Sequence, residues 1–287
     1  MKTNILDINE LDFVYPDGTH ALNKLTVSFE KGKKIAIVGP NGAGKTTLFL
    51  VLTGVYKPTG GKVSLSGLPI HYSKREIMEL RKHIGIVFQD SNSQLFSANV
   101  YQEISFGPLN LELTKDEVKQ RIENALIKTN IIHLKSKPVH FLSGGEKKRV
   151  AIADILAMEP EVLFLDEPTA FIDPKTSNEL MDLFDEINKE GKTIVLSTHD
   201  MDRVYTWADY VIVMKEGTVI GEGLPHEIFL NNDLLKKADL EKPWIIDVYQ
   251  QIIKDHTNPM DMGVPRNKKE LFELLGQIPK QIIHQSL

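Results

Sequence analysis

Cysteine is absent from the 287 residues. Disulfides and thiolate-ligated metals are therefore excluded. Long apolar runs are lacking as well: the longest mainly apolar stretch, Thr47 to Val55, falls far short of the roughly 18 residues needed to span a bilayer. The chain is not expected to cross a membrane by itself. Its opening, Met1-Lys2-Thr3-Asn4-Ile5-Leu6-Asp7, has none of the apolar core of a secretory signal, so a cytoplasmic location is expected. Positive charge is in no surplus, 34 Lys and Arg against 39 Asp and Glu for a net charge of −5, which removes any general drive to coat nucleic acid. The nine histidines show no close ligand spacing, and no repeat, heptad run or low-complexity tract is visible. What remains is an ordinary globular composition, 41% hydrophobic and 25% charged, over a length that suits one large domain or one domain with an appendage.

Period places the elements. Ile5 to Tyr15 and Leu25 to Glu30 read as strands, with a turn at Asp17-Gly18 between them, so an antiparallel start is expected. Three short continuous apolar runs, Ile35-Ala36-Ile37-Val38, Val162-Leu163-Phe164-Leu165 and Thr193-Ile194-Val195-Leu196, suit strands buried on both faces of a parallel sheet. Helical patterns follow each run, from Gly44 to Thr53, from Lys175 to Lys189 and after His199, and this alternation defines an α/β fold. More than 100 residues separate the first two runs. Helical patterns at Thr114 to Lys128 and Gly144 to Met158 mark that stretch as an inserted helical subdomain. Val211 to Met214 and Thr218 to Gly221 flank Glu216-Gly217, a hairpin signal. After about Leu230 the pattern weakens past Pro243, Pro259, Pro265 and Pro279, with an amphipathic helix expected from Lys268 to Leu275. The division read here is a domain over 1–230, with its helical insertion at about 90–160, and a C-terminal extension of unassigned role over 231–287.

Gly39-Pro40-Asn41-Gly42-Ala43-Gly44-Lys45-Thr46 matches G-x-x-x-x-G-K-[ST] after a buried strand and before a helix, the context a phosphate loop requires. The glycines allow backbone N–H groups to curl around phosphate oxygens, and the helix that follows presents its positive N-terminus to them. Lys45 is expected to bridge the β- and γ-phosphates and Thr46 to offer its hydroxyl to Mg²⁺. The bland alternative is a glycine-rich turn with a solvated lysine.

The second buried run ends in Asp166-Glu167-Pro168, at the sheet edge where open α/β sheets bind ligands. Asp166 is expected to hold the Mg²⁺ shell and Glu167 to polarise an attacking water. Taken alone, such a pair is as readily a solvated strand end. The third run ends in Ser197-Thr198-His199-Asp200, which brings His199 to the same edge, within reach of a γ-phosphate or of Glu167. A lone histidine there is more often a satisfied loop residue.

Leu142-Ser143-Gly144-Gly145-Glu146 resembles the signature motif of ATP-binding-cassette ATPases. The resemblance extends to Gln89 in Val87-Phe88-Gln89, to Asp166-Glu167, to Asp173 in Ile172-Asp173-Pro174 and to Ser197-Thr198-His199-Asp200, in matching order from about residue 5 to 230. It implies a P-loop NTPase core with a mixed sheet, an antiparallel β subdomain and an inserted α-helical subdomain. It implies ATP and Mg²⁺ as cofactors, with Tyr15 stacked on the adenine and Gly39, Asn41, Gly42, Gly44, Lys45, Thr46 and Thr47 around the phosphates. Gln89 would sense Mg²⁺ and the transport partner, joining Thr46 and Asp166 at the metal, while Lys45, Glu167 and His199 would serve catalysis. Asp173 would touch an opposing subunit. Ser143, Gly144 and Gly145 open a helix and make a second anion site. Two helix ends far apart in one chain cannot cradle one phosphate group, so ATP would be sandwiched between two chains.

Within the family, the stretch from Gln89 to Leu111 resembles the ATPase subunits of energy-coupling-factor importers. The run Leu142 to Ala153 is most similar to their cobalt and nickel branch. That resemblance implies ATP hydrolysis driving import of metal ions or a vitamin. Its partners would be a second ATPase subunit, identical or paralogous, a transmembrane scaffold subunit and a substrate-binding membrane subunit, at the cytoplasmic face of the membrane and without nucleic acid. Any metal specificity must lie in another subunit. The competing readings are a soluble cassette switch acting on nucleic acid or ribosomes, and a nucleotide-binding module without hydrolysis. Two positions depart from the family pattern: Phe171 replaces a small residue, and Asp154 interrupts the apolar run Val150 to Met158. Asp154 reads as a solvated helix position, or else as a polar contact with a partner. Spacing Val100, Ile104 and Gly107 on one helical face leaves Phe96 and Tyr101 as candidates for exposure and docking of the scaffold, against packing under the helical subdomain.

Overall fold

All strands of the central sheet but one at its edge bury alternate side chains on two opposite faces, and the arrangement of the site follows from how those strands are ordered. The computed structural model describes residues 3–254 and 263–277. Expectations for Met1, Lys2, Pro259 and Pro279 lie outside the described residues. The chain begins with β1 (Asn4–Val14) and β2 (His20–Glu30), paired antiparallel as expected. Their turn is closed by Gly18 N donating to Tyr15 O and by Thr19 N donating to the Asp17 carboxylate, each at 2.9 Å, a local bond that favours turns over strand. After β3 (Lys34–Val38) and α1 (Lys45–Leu52), β4 (Gly60–Leu65) returns to β1, and the short β5 (Leu68–Pro69) completes an antiparallel sheet ordered β2-β1-β4-β5. Next come α2 (Lys74–His83) and β6 (Ile84–Val87), and then the insertion with α3 (Val100–Leu109), α4 (Lys115–Lys128) and α5 (Gly144–Ala157). Strand and helix alternate again through β7 (Val162–Asp166), α6 (Pro174–Lys189), β8 (Thr193–Ser197) and α7 (Met201–Trp207). The hairpin β9 (Tyr210–Lys215) and β10 (Thr218–Gly223) turns at Glu216 and Gly217, both at positive φ, as a two-residue turn matched to strand twist requires.

The main sheet runs β10-β9-β3-β8-β7-β6, parallel from β9 to β6 and with β10 antiparallel at one edge. The fold is the expected P-loop NTPase core with a mixed sheet, an antiparallel β sheet and inserted helices. The pleat sends Leu163 and Leu165 of β7 into a core with Leu180, Phe184 and Tyr205 from α6 and α7. Val162 and Phe164 point the other way, into a core with α1 and the antiparallel sheet, where Phe164 lies 4.8 Å from Phe49 and 6.2 Å from Phe29. The insertion has its own core of Val100, Ile104, Val118, Ile122, Leu126 and Val150.

The C-terminal region holds more helix than the sequence pattern announces. The helix α8 (Pro225–Leu230) closes the first stretch, and the weakened pattern after Leu230 hides two more, α9 (Asn232–Ala238) and α10 (Trp244–Lys254), ahead of the expected α11 (Lys268–Gln277). Ile245 and Ile246 are buried in the core shared with α6 and α7. Tyr205 Oη donates to Pro265 O at 2.7 Å, and Arg266 donates to Ala208 O at 2.8 Å. The period was present, at Ile245, Ile246, Tyr249, Ile252 and Ile253, but punctuation by proline obscured it.

Candidate functional site

The loop between β3 and α1 requires glycine for steric reasons. A Cβ on Gly39 would stand 2.1 Å from Met214 O, and one on Gly44, at φ 97°, would stand 2.5 Å from Ala21 O. Gly44 also serves as the N-cap of α1, with no side chain to satisfy the first N–H groups, so those donors face the cavity in front of the helix. Lys45 is buried, and its Nζ donates to Gly39 O at 2.6 Å and Pro40 O at 3.1 Å. Burial pulls its pKa below the ordinary 10.5, opposed by the charges of Glu167 and Asp166.

Parallel register brings the acids to this loop. Asp166 pairs with Ser197 across β7 and β8. Ser197 Oγ donates to Asp166 Oδ1 at 2.5 Å, while Asp166 Oδ2 accepts from Thr46 Oγ1 at 2.7 Å. Ser197 also receives the Glu167 backbone N–H, at 3.1 Å on its carbonyl and 3.3 Å on its hydroxyl. Glu167 sits at φ 45°, a conformation uncommon for a residue of its size and characteristic of functional sites. Its Oε1 is buried without a hydrogen-bond partner; His199 Nε2, at 3.4 Å, is not aligned to supply one. Desolvation first, and then the Asp166 charge, push the Glu167 pKa above 4.5. His199 is pulled below 6.5 by burial and by Lys45, so at neutral pH it is an uncharged imidazole beside a carboxylate. Such a carboxylate is a proton acceptor poised to take hydrogen from water.

A cavity of about 300 Å³ collects Tyr15, Asn41, Gly42, Gly44, Lys45, Thr46, Thr47, Gln89, Asp166, Glu167 and His199. Gly39 lies behind it. Tyr15 stands at its rim, hydrogen-bonded through Oη to Thr47 Oγ1 at 2.9 Å and packed edge-on against Phe13. Thr46, Asp166 and Gln89 offer oxygen donors to a metal ion. Among the described residues no three His, Cys, Asp or Glu side chains gather around one point. A donor set this sparse fits Mg²⁺, which keeps waters and substrate phosphates and takes only one or two carboxylates.

Sequence reasoning missed five contributors. Thr19, His20 and Ala21, from the start of β2, also line the cavity, and nothing local announces them. Ser197 holds both acids. Lys148, on α5, is buried and donates to Phe88 O at 3.0 Å and Gln89 O at 2.7 Å; only its helical phase toward the sheet could have flagged it.

Ser143, Gly144 and Gly145 do not line this cavity. Ser143 is the exposed N-cap of α5, in a capping box in which its Oγ accepts from Glu146 N at 3.3 Å and its N–H donates to Glu146 Oε2 at 2.7 Å. Asp173 caps α6 by accepting from Thr176 N at 3.0 Å. Just before it, Phe171 is 92% exposed and sits at φ 62°.

A second concavity, of about 370 Å³, lies between α2, β6 and the insertion and is lined by Val55, Met78, Phe106, Leu111, Ile155 and Met158. Phe96 is 68% exposed and meets Phe106 edge-on at 5.0 Å, as expected of an exposed cluster. Tyr101 differs from expectation: it packs against the insertion core with Lys135 4.9 Å above its ring, because Tyr101 N is drawn to Lys135 O. Asp154 is half-buried rather than fully solvated. It lines the same apolar concavity, and burial, with Glu103 nearby, pushes its carboxyl up to about 7.

A phosphate-binding loop, a buried carboxylate joined to its threonine and a second carboxylate beside them with one unpartnered oxygen define a nucleotide hydrolase of the P-loop class. Residues 22–170 match the ABC transporter family model. Energy-coupling factor transporter ATP-binding protein EcfA2 of Clostridium perfringens (strain SM101 / Type A) is 50% identical over 246 residues, 85% of this chain and 86% of that protein. Of a longer Methanosarcina mazei relative, 47% identical over 248 residues, the chain spans 55% of the length. The solved structure of cbiO1 from Clostridium perfringens, described as part of the ABC transporter complex cbiONQ, matches with TM-score 0.74 and 49% identity, over 87% of this chain and 100% of that one. A dimeric ATP-binding cassette in a post-hydrolysis state with ADP and Pi matches with TM-score 0.70 and 28% identity, over 77% and 98%. The chain belongs to the ABC transporter ATPases.

Proposed function

We propose that this chain is the ATP-hydrolysing subunit of an energy-coupling-factor type importer for cobalt or nickel ions or a vitamin. It works at the cytoplasmic face of the membrane with a second ATPase subunit, a transmembrane scaffold subunit and a substrate-binding membrane subunit. One observation carries the two-chain reading: the phosphate loop and the Ser143 signature are both complete, yet only the first lines the cavity that holds Glu167 and His199. The resemblance to EcfA2 and cbiO1 supports the transporter type.

In this reading Tyr15 stacks on the adenine, and Asn41, Gly42, Gly44, Thr47 and the α1 N-terminus bind the phosphates with Lys45. Ser143, Gly144 and Gly145 of the opposed chain close over them. Mg²⁺, held by Thr46, Gln89 and Asp166, supplies charge neutralisation at the phosphates when bound. Ser197 fixes Asp166 and the Glu167 backbone, so the free Oε1 accepts the proton of the attacking water, and the imidazole of His199, 3.4 Å from that oxygen, reaches toward the γ-phosphate. The concavity around Phe106, with exposed Phe96 beside it, is the docking face for the scaffold. Two measurements test the assignment. Glu167→Gln with ATP is expected to run as a dimer in light scattering; only monomer at saturating ATP contradicts the sandwich. Phe96→Ser is expected to keep nucleotide binding but lose co-purification with the scaffold, and undiminished co-purification would move the docking face elsewhere.

A further inference from the structure

Lys148 is an uneconomical way to fill a core position. Its side chain is 3% exposed on α5, five residues after Ser143, and the hydrogen bonds its ammonium makes go to two uncharged acceptors, Phe88 O at 3.0 Å and Gln89 O at 2.7 Å. An ammonium removed from water to neutral carbonyls is normally disfavoured. Leucine or methionine would fill the space without that penalty, but would leave two carbonyls short of a donor.

Phe88 packs into the core below the segment that Lys148 grips, and most of the segment's remaining hydrogen bonds are local. Gln94 Oε1 accepts from Phe88 N at 3.1 Å, and Gln94 Nε2 donates to Ile86 O at 3.3 Å. Asp90 caps the turn by accepting from Asn92 N at 2.9 Å. Side-chain hydrogen bonds reach the segment from neighbouring positions of α5: those of Lys148, and that of Lys147, whose exposed ammonium reaches Asn92 Oδ1 at 2.7 Å. The helix that begins at Ser143 thus clamps the backbone that carries Gln89 into the nucleotide cavity.

We propose that Lys148 is a positioning residue that ties the signature helix, which serves the nucleotide of the opposed chain, to the Gln89 loop, which serves this chain's own. The inference rests on the two-chain reading. When the opposed nucleotide draws in the N-terminus of α5, Lys148 carries that displacement to the Gln89 carbonyl, and each site reads the occupancy of the other. Burial, which brings the Lys148 pKa down to about 8, is consistent with a charge held where water cannot relieve it.

The test uses full-length chains and measures phosphate release together with equilibrium binding of a fluorescent ATP analogue. Lys148→Gln is expected to lower kcat by about 10- to 100-fold, as small misplacements of positioning groups do, with KM and analogue binding within about two-fold. Lys148→Arg, which can donate to both carbonyls, is expected to restore most of kcat. Lys147→Ala, at an exposed contact, is expected to change kcat by less than about two-fold. The decisive arm pairs differently tagged chains and isolates the mixed dimer. A wild-type chain with a Lys45→Ala partner is compared with a wild-type chain and a Lys45→Ala, Lys148→Gln partner. In both, the working phosphate loop and Gln89 belong to the wild-type chain, and only the signature helix opposite differs. Slower hydrolysis in the second pair supports the tie between sites; equal rates overturn it. Loss of activity in Lys148→Arg equal to that in Lys148→Gln, with matching drops in unfolding temperature, also overturns it by leaving only a packing role. Full activity of Ser143→Arg would refute the two-chain reading instead.

Discussion

The N-terminus of α1 and the N-terminus of α5 both offer N–H groups to an anion, and they are finished in opposite ways. At α1 the cap is Gly44, which has no side chain, and the donors open into a cavity walled by Lys45, Thr46 and Asp166. At α5 the cap is a full box, Ser143 with Glu146, exposed on the surface and satisfied within its own chain. The Glu146 carboxyl is held below 4.5 chiefly by the Ser143 N–H, so the helix end already carries an anion of its own. The first end is built to bind a ligand alone. The second is stable without one, and in the proposed sandwich it gains a phosphate only from another chain.

The largest expected effect removes the chemistry and leaves both helix ends intact. Glu167→Gln is expected to lower turnover by about 100-fold or more while nucleotide still binds, because a positioned base contributes on that scale. Near-normal phosphate release would remove Glu167 from the mechanism. Next comes the contrast between the two glycine sets. Gly44→Ala forces a Cβ to 2.5 Å from Ala21 O at φ 97° and is expected to destabilise the fold by about 2 kcal/mol or more. Gly144→Ala meets nothing within 4 Å and is expected to stay within about 0.5 kcal/mol in chemical denaturation. Equal losses at both would erase the asymmetry.

Phe171 gives a smaller effect of opposite sign. At φ 62° and 92% exposed, it makes Phe171→Gly a stabilising change by about 1 kcal/mol in the isolated chain, since the left-handed region is strained for side chains. A destabilised variant would mean that the ring has a partner within its own fold. In the proposed mechanism Glu167 sets the pH dependence of turnover. With its folded pKa raised, the acceptor is lost as pH falls, so the acid limb of kcat is expected above 4.5, the ordinary value. A limb at or below that value contradicts the buried environment. The smallest effect is the linkage at Lys148. Its pKa is about 8 folded against 10.5 for the ordinary group, so the unfolded chain binds the extra proton between those values. Stability of the wild type relative to Lys148→Met therefore rises with pH across that window and is flat below it; a flat difference throughout would place Lys148 in solvent.

Much of this was legible because it is local. The glycines before Lys45, the acids that end Val162-Leu163-Phe164-Leu165 and the Ser143 to Glu146 box each lie within a few residues of the chemistry they serve. What escaped is set by register and packing between distant segments. Ser197 bears on Asp166 only because β7 and β8 pair in parallel with those residues opposite. Lys148 meets Gln89 only because α5 lies across the end of β6. Asp154 looked solvated because one charge in an apolar helix usually points outward, whereas here the apolar wall it faces belongs to α2 and β6. The helix at Trp244 carried a readable period; its burial depended on α6 and α7, more than 35 residues upstream.

The central claim is that one working site takes Lys45 from one chain and Ser143 from another. Lys45→Ala and Ser143→Arg chains are each expected to be inactive in phosphate release when assayed alone. Mixed in equal amounts, they are expected to recover hydrolysis to roughly a quarter of the wild-type rate, because about half the dimers then hold one intact site out of two. A mixture as inactive as either variant alone, although mixed dimers form, would contradict the composite site.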